Sequence, residues 1–256
     1  MTDKIKIKVS SFVANILEND ALRFGFTKNN QSNKNALLNK LIPTLVEIRK
    51  ARRNEIEDIL KNEYNRKDSE NIYNAVNTVI DRVYFMDAEL NVLEEYIWIR
   101  PSKETLSTYD EIQTSEVLIT AQDTSVYIRG LLNEYARFPQ YKREMLVFDK
   151  ELDIFDTACS SRHIVYFRNR ETNERCRAFA FNYYYGYLYD QTNYCILYDL
   201  SKQRIKAVPL HIMQDIYMIK QKYEPSDHLV KRLQEYSDNC DFEEEVSVEE
   251  IQNVFQ

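Results

Sequence analysis

The strictest constraint in the chain is six residues long. Residues 4 to 9 read Lys-Ile-Lys-Ile-Lys-Val, a period-two alternation that only a strand can use, because successive side chains leave a strand on opposite faces. Ile5, Ile7 and Val9 share one face; Lys4, Lys6 and Lys8 share the other and repel one another unless something anionic lies opposite. After Ser10 or Ser11 as N-cap, Val13, Ile16, Leu17, Ala21 and Phe24 recur at helical spacing, and Gly25 stands where helices commonly stop. Thr27 to Asn33 reads as polar loop. From Ser32 or Asn33, Leu37, Leu38, Leu41, Ile42, Leu45 and Ile48 form a second apolar stripe, with Pro43 placed to kink it. One strand and two helices bury too little apolar surface to stand alone. The expectation is that two copies pair their strands and interlock their helices, which sets lysines along a two-stranded ribbon, a shape the DNA major groove admits.

The run Asp20-Ala21-Leu22-Arg23-Phe24-Gly25-Phe26, followed by Asn33-Lys34-Asn35-Ala36-Leu37-Leu38-Asn39-Lys40-Leu41, resembles one subgroup of the ribbon-helix-helix family. The resemblance implies that Lys4, Lys6 and Lys8 face a groove, and that Ser32, Asn33 and Lys34 meet a phosphate at a helix N-terminus. Base readers in that family usually include amide or Arg side chains. Three lysines favour phosphate attraction over sequence reading.

With 256 residues, about two domains are expected. No apolar run approaches the ~20 residues of a membrane span, and the start lacks a signal peptide's apolar segment, so a soluble, cytoplasmic protein without a membrane partner is expected. Cys159, Cys176, Cys195 and Cys240 lack metal or disulfide spacing and read as reduced core thiols. The net charge of −7 hides an asymmetry: residues 1–62 hold twelve Lys and Arg against seven Asp and Glu, whereas residues 223–256 hold two against ten. The front can attract nucleic acid; the tail reads as an acidic solubilising segment or a surface for a basic partner. Its end, from Val246, can form a short helix or dock as a strand.

Residues 44 to about 99 read as helix, Ile72, Val76, Val79, Ile80, Val83, Met86, Leu90, Leu93 and Ile97 carrying its second half up to Arg100-Pro101. Ser102 to Thr114 is the candidate linker, a further helix runs from about Thr124 to Phe138, and no internal repeat is visible. Then comes a comb of aromatics: Phe179, Phe181, Tyr183, Tyr185, Tyr187 and Tyr189 on consecutive odd positions, with Gly186 placed to bend or bulge the strand and split the comb. Upstream, Ile164 to Phe167 and Glu174 to Arg177 flank a polar turn, so that Arg175 and Arg177 are in phase with the aromatics and Arg168 and Arg170 sit at the hairpin tip. Aromatic faces beside arginines can stack unpaired bases and hold their phosphates; they can equally be a small barrel core with surface arginines. Of Tyr183 and Tyr184, which point to opposite faces, one is expected to contact RNA.

The helix Val126-Tyr127-Ile128-Arg129-Gly130-Leu131-Leu132-Asn133-Glu134-Tyr135, the hairpin, Asn193-Tyr194-Cys195-Ile196-Leu197-Tyr198-Asp199 and Arg204 to Met213 follow an order similar to a WYL domain. Asn193-Tyr194-Cys195 stands at the eponymous tripeptide, and Pro209 and Ile212 replace two usual arginines, leaving His211 between them. The resemblance implies an Sm- or SH3-like barrel that binds ligands or nucleic acid, with His211 among the contacts, and carries no chemistry. The expected class is therefore α+β: a ribbon-helix-helix domain over 1–50, a helical linker region over 51–123, a WYL-like domain over 124–222, and an acidic segment over 223–256. Together the two resemblances look like the accessory proteins found beside the type VI-D CRISPR RNA-guided ribonuclease, or like a group of DNA-binding transcriptional regulators; a dimeric protein–protein adaptor is a third reading. The partners implied are a second copy of the chain, single-stranded RNA, duplex DNA in the regulator reading, and an RNA-guided ribonuclease. Only His163, His211 and His228 are present, none in a metal-binding spacing, and glycines only at 25, 130 and 186 make no phosphate loop. Cys159, four residues before His163, is the one hint of a thiol nucleophile. No enzyme activity, cofactor or metal is expected.

Overall fold

The pairing partner of the first strand lies in the same chain. The computed structural model describes residues 4–63, 71–72, 74–76, 78–79, 92–115, 123–186, 190–239, 242 and 244–249, in two compact units, 1–138 and 139–256. In the first, β1 (Ile5–Val9) pairs antiparallel with β4 (Glu95–Ile99), Ile7 opposite Ile97 and Ile5 opposite Ile99. This corrects two expectations: residues 95–99 are strand rather than helix, and the ribbon forms without a second copy. The reason is readable in Glu95-Tyr96-Ile97-Trp98-Ile99, where Ile97 and Ile99 turn into the core and Tyr96 and Trp98 turn out.

α1 (Ser11–Arg23) starts where the Ser10 side chain accepts from the Val13 amide and buries Val13, Leu17 and Ala21. Gly25 follows it at φ +74°, a left-handed position that suits glycine. The expected loop over 27–33 is a small hairpin, β2 (Thr27–Lys28) and β3 (Gln31–Ser32), turning on Asn29 and Asn30, both at positive φ. α2 (Lys34–Glu63) runs through Pro43 and buries Leu37, Leu38, Leu41 and Ile42. Ile72 and Val76 pack against Ile56 and Leu60; Ile80, Val83, Met86 and Leu90 lie outside the described residues.

The proposed linker over 102–114 is α3 (Lys103–Thr114), capped by Ser102 and burying Thr105, Thr108 and Ile112. Two amides of α2 fasten it: the Asn35 Oδ1 accepts from the Arg100 amide at 2.7 Å, and the Asn39 Oδ1 from the Ser102 amide at 2.6 Å. α4 (Thr124–Arg137), capped by Asp123, completes the first unit rather than leading the second. Its Tyr135 hydroxyl donates to buried Asp20 at 2.7 Å, and its Glu134 accepts from Arg49 and Arg52. Strand, capped helix, helix thus occurs twice, as β1-α1-α2 and β4-α3-α4, although no repeat shows in the residues. A ribbon closed within one chain should melt at the same temperature from nanomolar to micromolar protein, measured by circular dichroism; a ribbon shared between chains would lose stability on dilution.

The second unit begins with α5 (Gln140–Val147) and α6 (Asp149–Ser161). Six antiparallel strands follow in the order β10-β8-β7-β6-β5-β9: β5 (His163–Asn169), β6 (Arg175–Tyr184), β7 (Tyr194–Asp199), β8 (Arg204–Pro209), β9 (Met213–Lys222) and β10 (Val246–Ser247). The β5–β6 turn is held by Asn169, whose Oδ1 accepts from the Glu171 and Thr172 amides. α6 lies across β5, β6 and β9, burying Phe155 and Ala158.

The acidic segment belongs to the core. α7 (Asp227–Asn239) buries Leu229, Leu233 and Tyr236 against Ile196, Tyr198 and Ile205, a stripe its charges obscured, and β10 docks on β8 while the Tyr198 hydroxyl donates to the Val248 carbonyl. Asp199 accepts from Lys206, from the Ser201 and Lys202 amides and from the Cys176 thiol. Burial opposes its charge, yet Lys206 at 2.8 Å holds the carboxyl below its usual range. Among the described residues, no helix is long and apolar enough to cross a membrane.

Candidate nucleic-acid interface

The sheet face that α7 covers at Phe179, Ile196 and Tyr198 also carries Tyr166 on β5, and exposed Tyr217 stands beside it on β9. Register decides what stands there: Tyr166 opposes Arg177 on β6 and Tyr217 on β9, and Arg168 opposes Arg175. Tyr166 and Tyr217 stack, with ring centroids 5.5 Å apart and planes 7° from parallel, and Tyr217 is half exposed. Arg168 donates to Asp215 at 2.7 Å and Arg177 to Gln221 at 2.7 Å, while Arg175 is exposed. Tyr166, Phe167, Arg168, Arg175, Asp215 and Tyr217 line a groove of about 310 Å³. A surface ion pair contributes at most about 1 kcal/mol, so a phosphate can replace Asp215 at Arg168.

The aromatic comb is split between this face and the opposite one. A register shift in β6 between Ala180 and Asn182 reverses the alternation, earlier than the expected break at Gly186. Phe179 and Phe181 lie on the α7 side; after the shift Tyr184 takes that side, its ring 5.3 Å from Phe242, and Tyr183 packs on Tyr185 on the other. Gly186 stands beyond β6 at φ +59°, where a Cβ would come within 2.9 Å of the Tyr141 ring. Tyr187 and Tyr189 lie outside the described residues.

Arg170, expected at the hairpin tip with Arg168, is partly buried over the Phe148 ring at 5.8 Å, and burial lowers its pKa. His211 is turned inward: its Nδ1 is 2.6 Å from Oε1 of Glu144, which also accepts from the His211 amide at 3.2 Å. The other Glu144 oxygen accepts from the backbone and side-chain nitrogens of Asn193, each at 2.8 Å. Glu144 is 1% exposed and fixes the β6–β7 and β8–β9 connections.

On the first unit, Lys4 and Lys6 are exposed and Lys8 half-buried along the ribbon. The Lys6 ammonium lies 3.8 Å from the Tyr96 ring centroid and 5.0 Å from that of Trp98; Lys8 is 5.6 Å from Tyr96. The implied phosphate position at the start of α2 already holds a carboxylate. Glu18 takes Lys34 at 2.5 Å and the Ser32 hydroxyl, which hold its pKa low, while Asn33 caps the helix through the Ala36 amide.

Tyr166, Tyr217, Gln221, Tyr96 and Trp98 were not among the residues expected at a site, although Tyr96-Ile97-Trp98 and Ile216-Tyr217 alternate at strand period. Among the described residues no group of three His, Cys, Asp or Glu side chains is placed to hold a metal. Burial, with the Asp156 charge, pushes the Cys159 thiol up to about 12, and His163 meets the Ser161 hydroxyl at 2.7 Å.

The chain is thus an α+β protein whose six-stranded antiparallel sheet carries an arginine-flanked aromatic face. No protein-family model matches the sequence, and no curated protein matches it. A solved structure described as that of a CRISPR Cas-related protein is similar in fold: TM-score 0.69 and 13% identity, over 94% of this chain and 72% of that one.

Proposed function

We propose that the protein is a non-catalytic RNA-binding accessory protein that modulates a type VI-D CRISPR RNA-guided ribonuclease. The observation that carries the reading is the Tyr166–Tyr217 stack, whose Tyr217 ring is exposed beside a half-buried Tyr166, among Arg168, Arg175 and Arg177. Unpaired bases stack on such rings while guanidinium groups take their phosphates. The likeness to a protein described as CRISPR Cas-related supports the setting. The high pKa of the Cys159 thiol supports a role without nucleophilic chemistry. In this reading the first unit is a ribbon-helix-helix pair within one chain, and the second is a WYL-type domain with Tyr194 at its signature. One observation favours a duplex-DNA regulator instead, the outward-facing Lys4, Lys6 and Lys8 on a two-stranded ribbon.

The test is fluorescence anisotropy of labelled single-stranded RNA with the full chain. Tyr217→Ala and Tyr166→Ala should each weaken binding about tenfold at constant salt, since a lost stack costs about 1–3 kcal/mol. Arg175→Ala and Arg177→Ala should each flatten the salt dependence by about 0.7 in log–log slope. Asp215→Asn should tighten binding at low salt by freeing Arg168. Affinity within twofold of the parent in Tyr217→Ala, or tighter binding of duplex DNA than of RNA, overturns the reading. The regulatory step is checked by adding the protein to the ribonuclease and measuring a changed RNA-cleavage rate.

A further inference from the structure

We propose that the Tyr96–Trp98 face of the β1–β4 ribbon is a second stacking platform for unpaired bases of single-stranded RNA. The inference rests on the RNA-binding reading and adds a site outside the second unit. Tyr96 and Trp98 are 52% and 53% exposed, unusual for two large rings side by side on a strand with a packed opposite face. Being two residues apart, they stand roughly 6.7 Å from one another along the strand, a spacing that two successive bases of an extended strand can meet. Lys6 lies opposite Trp98 and Lys8 opposite Tyr96, with exposed Lys4 and Arg100 beyond them. The ligand is therefore anionic with flat apolar faces. Of the two carboxylates that precede Tyr96 in sequence, Glu95 is on the other side of the strand, and Glu94 accepts from the Ser11 hydroxyl at the Val9 end of the ribbon, away from Trp98 and Lys4.

Lys6 over the Tyr96 ring does not block the site. An exposed cation–π contact contributes about 0.5–1 kcal/mol and a base stack about 1–3 kcal/mol, so a base displaces the ammonium, which then lies beside the incoming phosphate. Duplex DNA fits this face less well. Reading a groove needs side chains that reach base edges, and here one strand offers lysines while the other offers two rings whose faces a paired, stacked base cannot use.

Trp98 is the one tryptophan in the chain, so its fluorescence reports this site alone. Titrating the full chain with single-stranded oligouridylate should quench Trp98 with the same midpoint as RNA anisotropy. Tyr96→Ala and Trp98→Ala should each weaken RNA binding about tenfold, and Trp98→Phe, which keeps a ring, by no more than about threefold. Circular dichroism melting verifies that these surface changes leave the fold intact. RNA binding that is sensitive to Tyr217→Ala yet leaves Trp98 unquenched and is unaffected by Tyr96→Ala and Trp98→Ala overturns the ribbon site and spares the Tyr166–Tyr217 reading. No RNA binding by either readout overturns both. Quenching by duplex DNA or by an acidic peptide as strong as that by RNA overturns the ribbon proposal in favour of that ligand.

Discussion

Glu144→Ala should destabilise the second unit by about 3–5 kcal/mol, the loss expected when one member of a buried charged network is removed. Four donors depend on this carboxylate: the Asn193 amide and side chain, and the His211 amide and ring. Alanine takes this acceptor from all four, and a buried donor that loses its acceptor costs about 1–3 kcal/mol unless water enters. Asn193 also donates to the Tyr141 carbonyl and accepts from the Gly186 amide, so two connections between strands loosen together. Urea denaturation followed by circular dichroism measures the loss; a change under about 1 kcal/mol would show that the network is solvated and dispensable. Glu144→Gln, which keeps one acceptor oxygen, should fall between.

Ile7→Lys should unfold the first unit, with a loss of more than about 4 kcal/mol. Ile7 is fully buried at the centre of the ribbon, opposite Ile97. Lysine there forfeits the ~1.5–3 kcal/mol of burying an aliphatic side chain and puts an ammonium into a fully buried position opposite Ile97. Trp98 fluorescence follows the first unit during denaturation, and the expected result is an early Trp98 transition with the sheet signal of the second unit retained. A parent-like Trp98 transition would mean that the ribbon contributes little to the unit's stability.

β1, α1 and the start of α2 were legible in the residues because period, caps and glycine all agree there. The partner strand was not. Ile97 suits the end of a helical stripe as well as a strand, and Arg100-Pro101 ends either; only the alternation of Tyr96 and Trp98 with Ile97 and Ile99 distinguishes them, and it ends within one short strand. The aromatic comb failed for a different reason. Its odd spacing continues unbroken through the register shift after Ala180, and an extra residue in the ladder leaves no mark in the letters. The arginines at 168, 175 and 177 were found because the hairpin was; Tyr217, which stacks on Tyr166 beside them, was missed because β9 pairs with β5 from far along the chain. In the C-terminal segment, composition outweighed pattern: ten carboxylates hid the Leu229, Leu233 and Tyr236 stripe that covers the sheet.

A ribbon woven from two copies of one strand looks alike from either end, and a ligand can lie on it in two equivalent directions. Here unlike strands are joined in one chain, lysines along β1 and rings along β4. That equivalence is gone. A nucleic-acid strand laid along this ribbon presents its bases to one edge and its backbone to the other, so its two opposite polarities meet different surfaces. If RNA lies on the ribbon as proposed, the ribbon can distinguish 5′-to-3′ from 3′-to-5′, a choice that no twofold-symmetric ribbon can make.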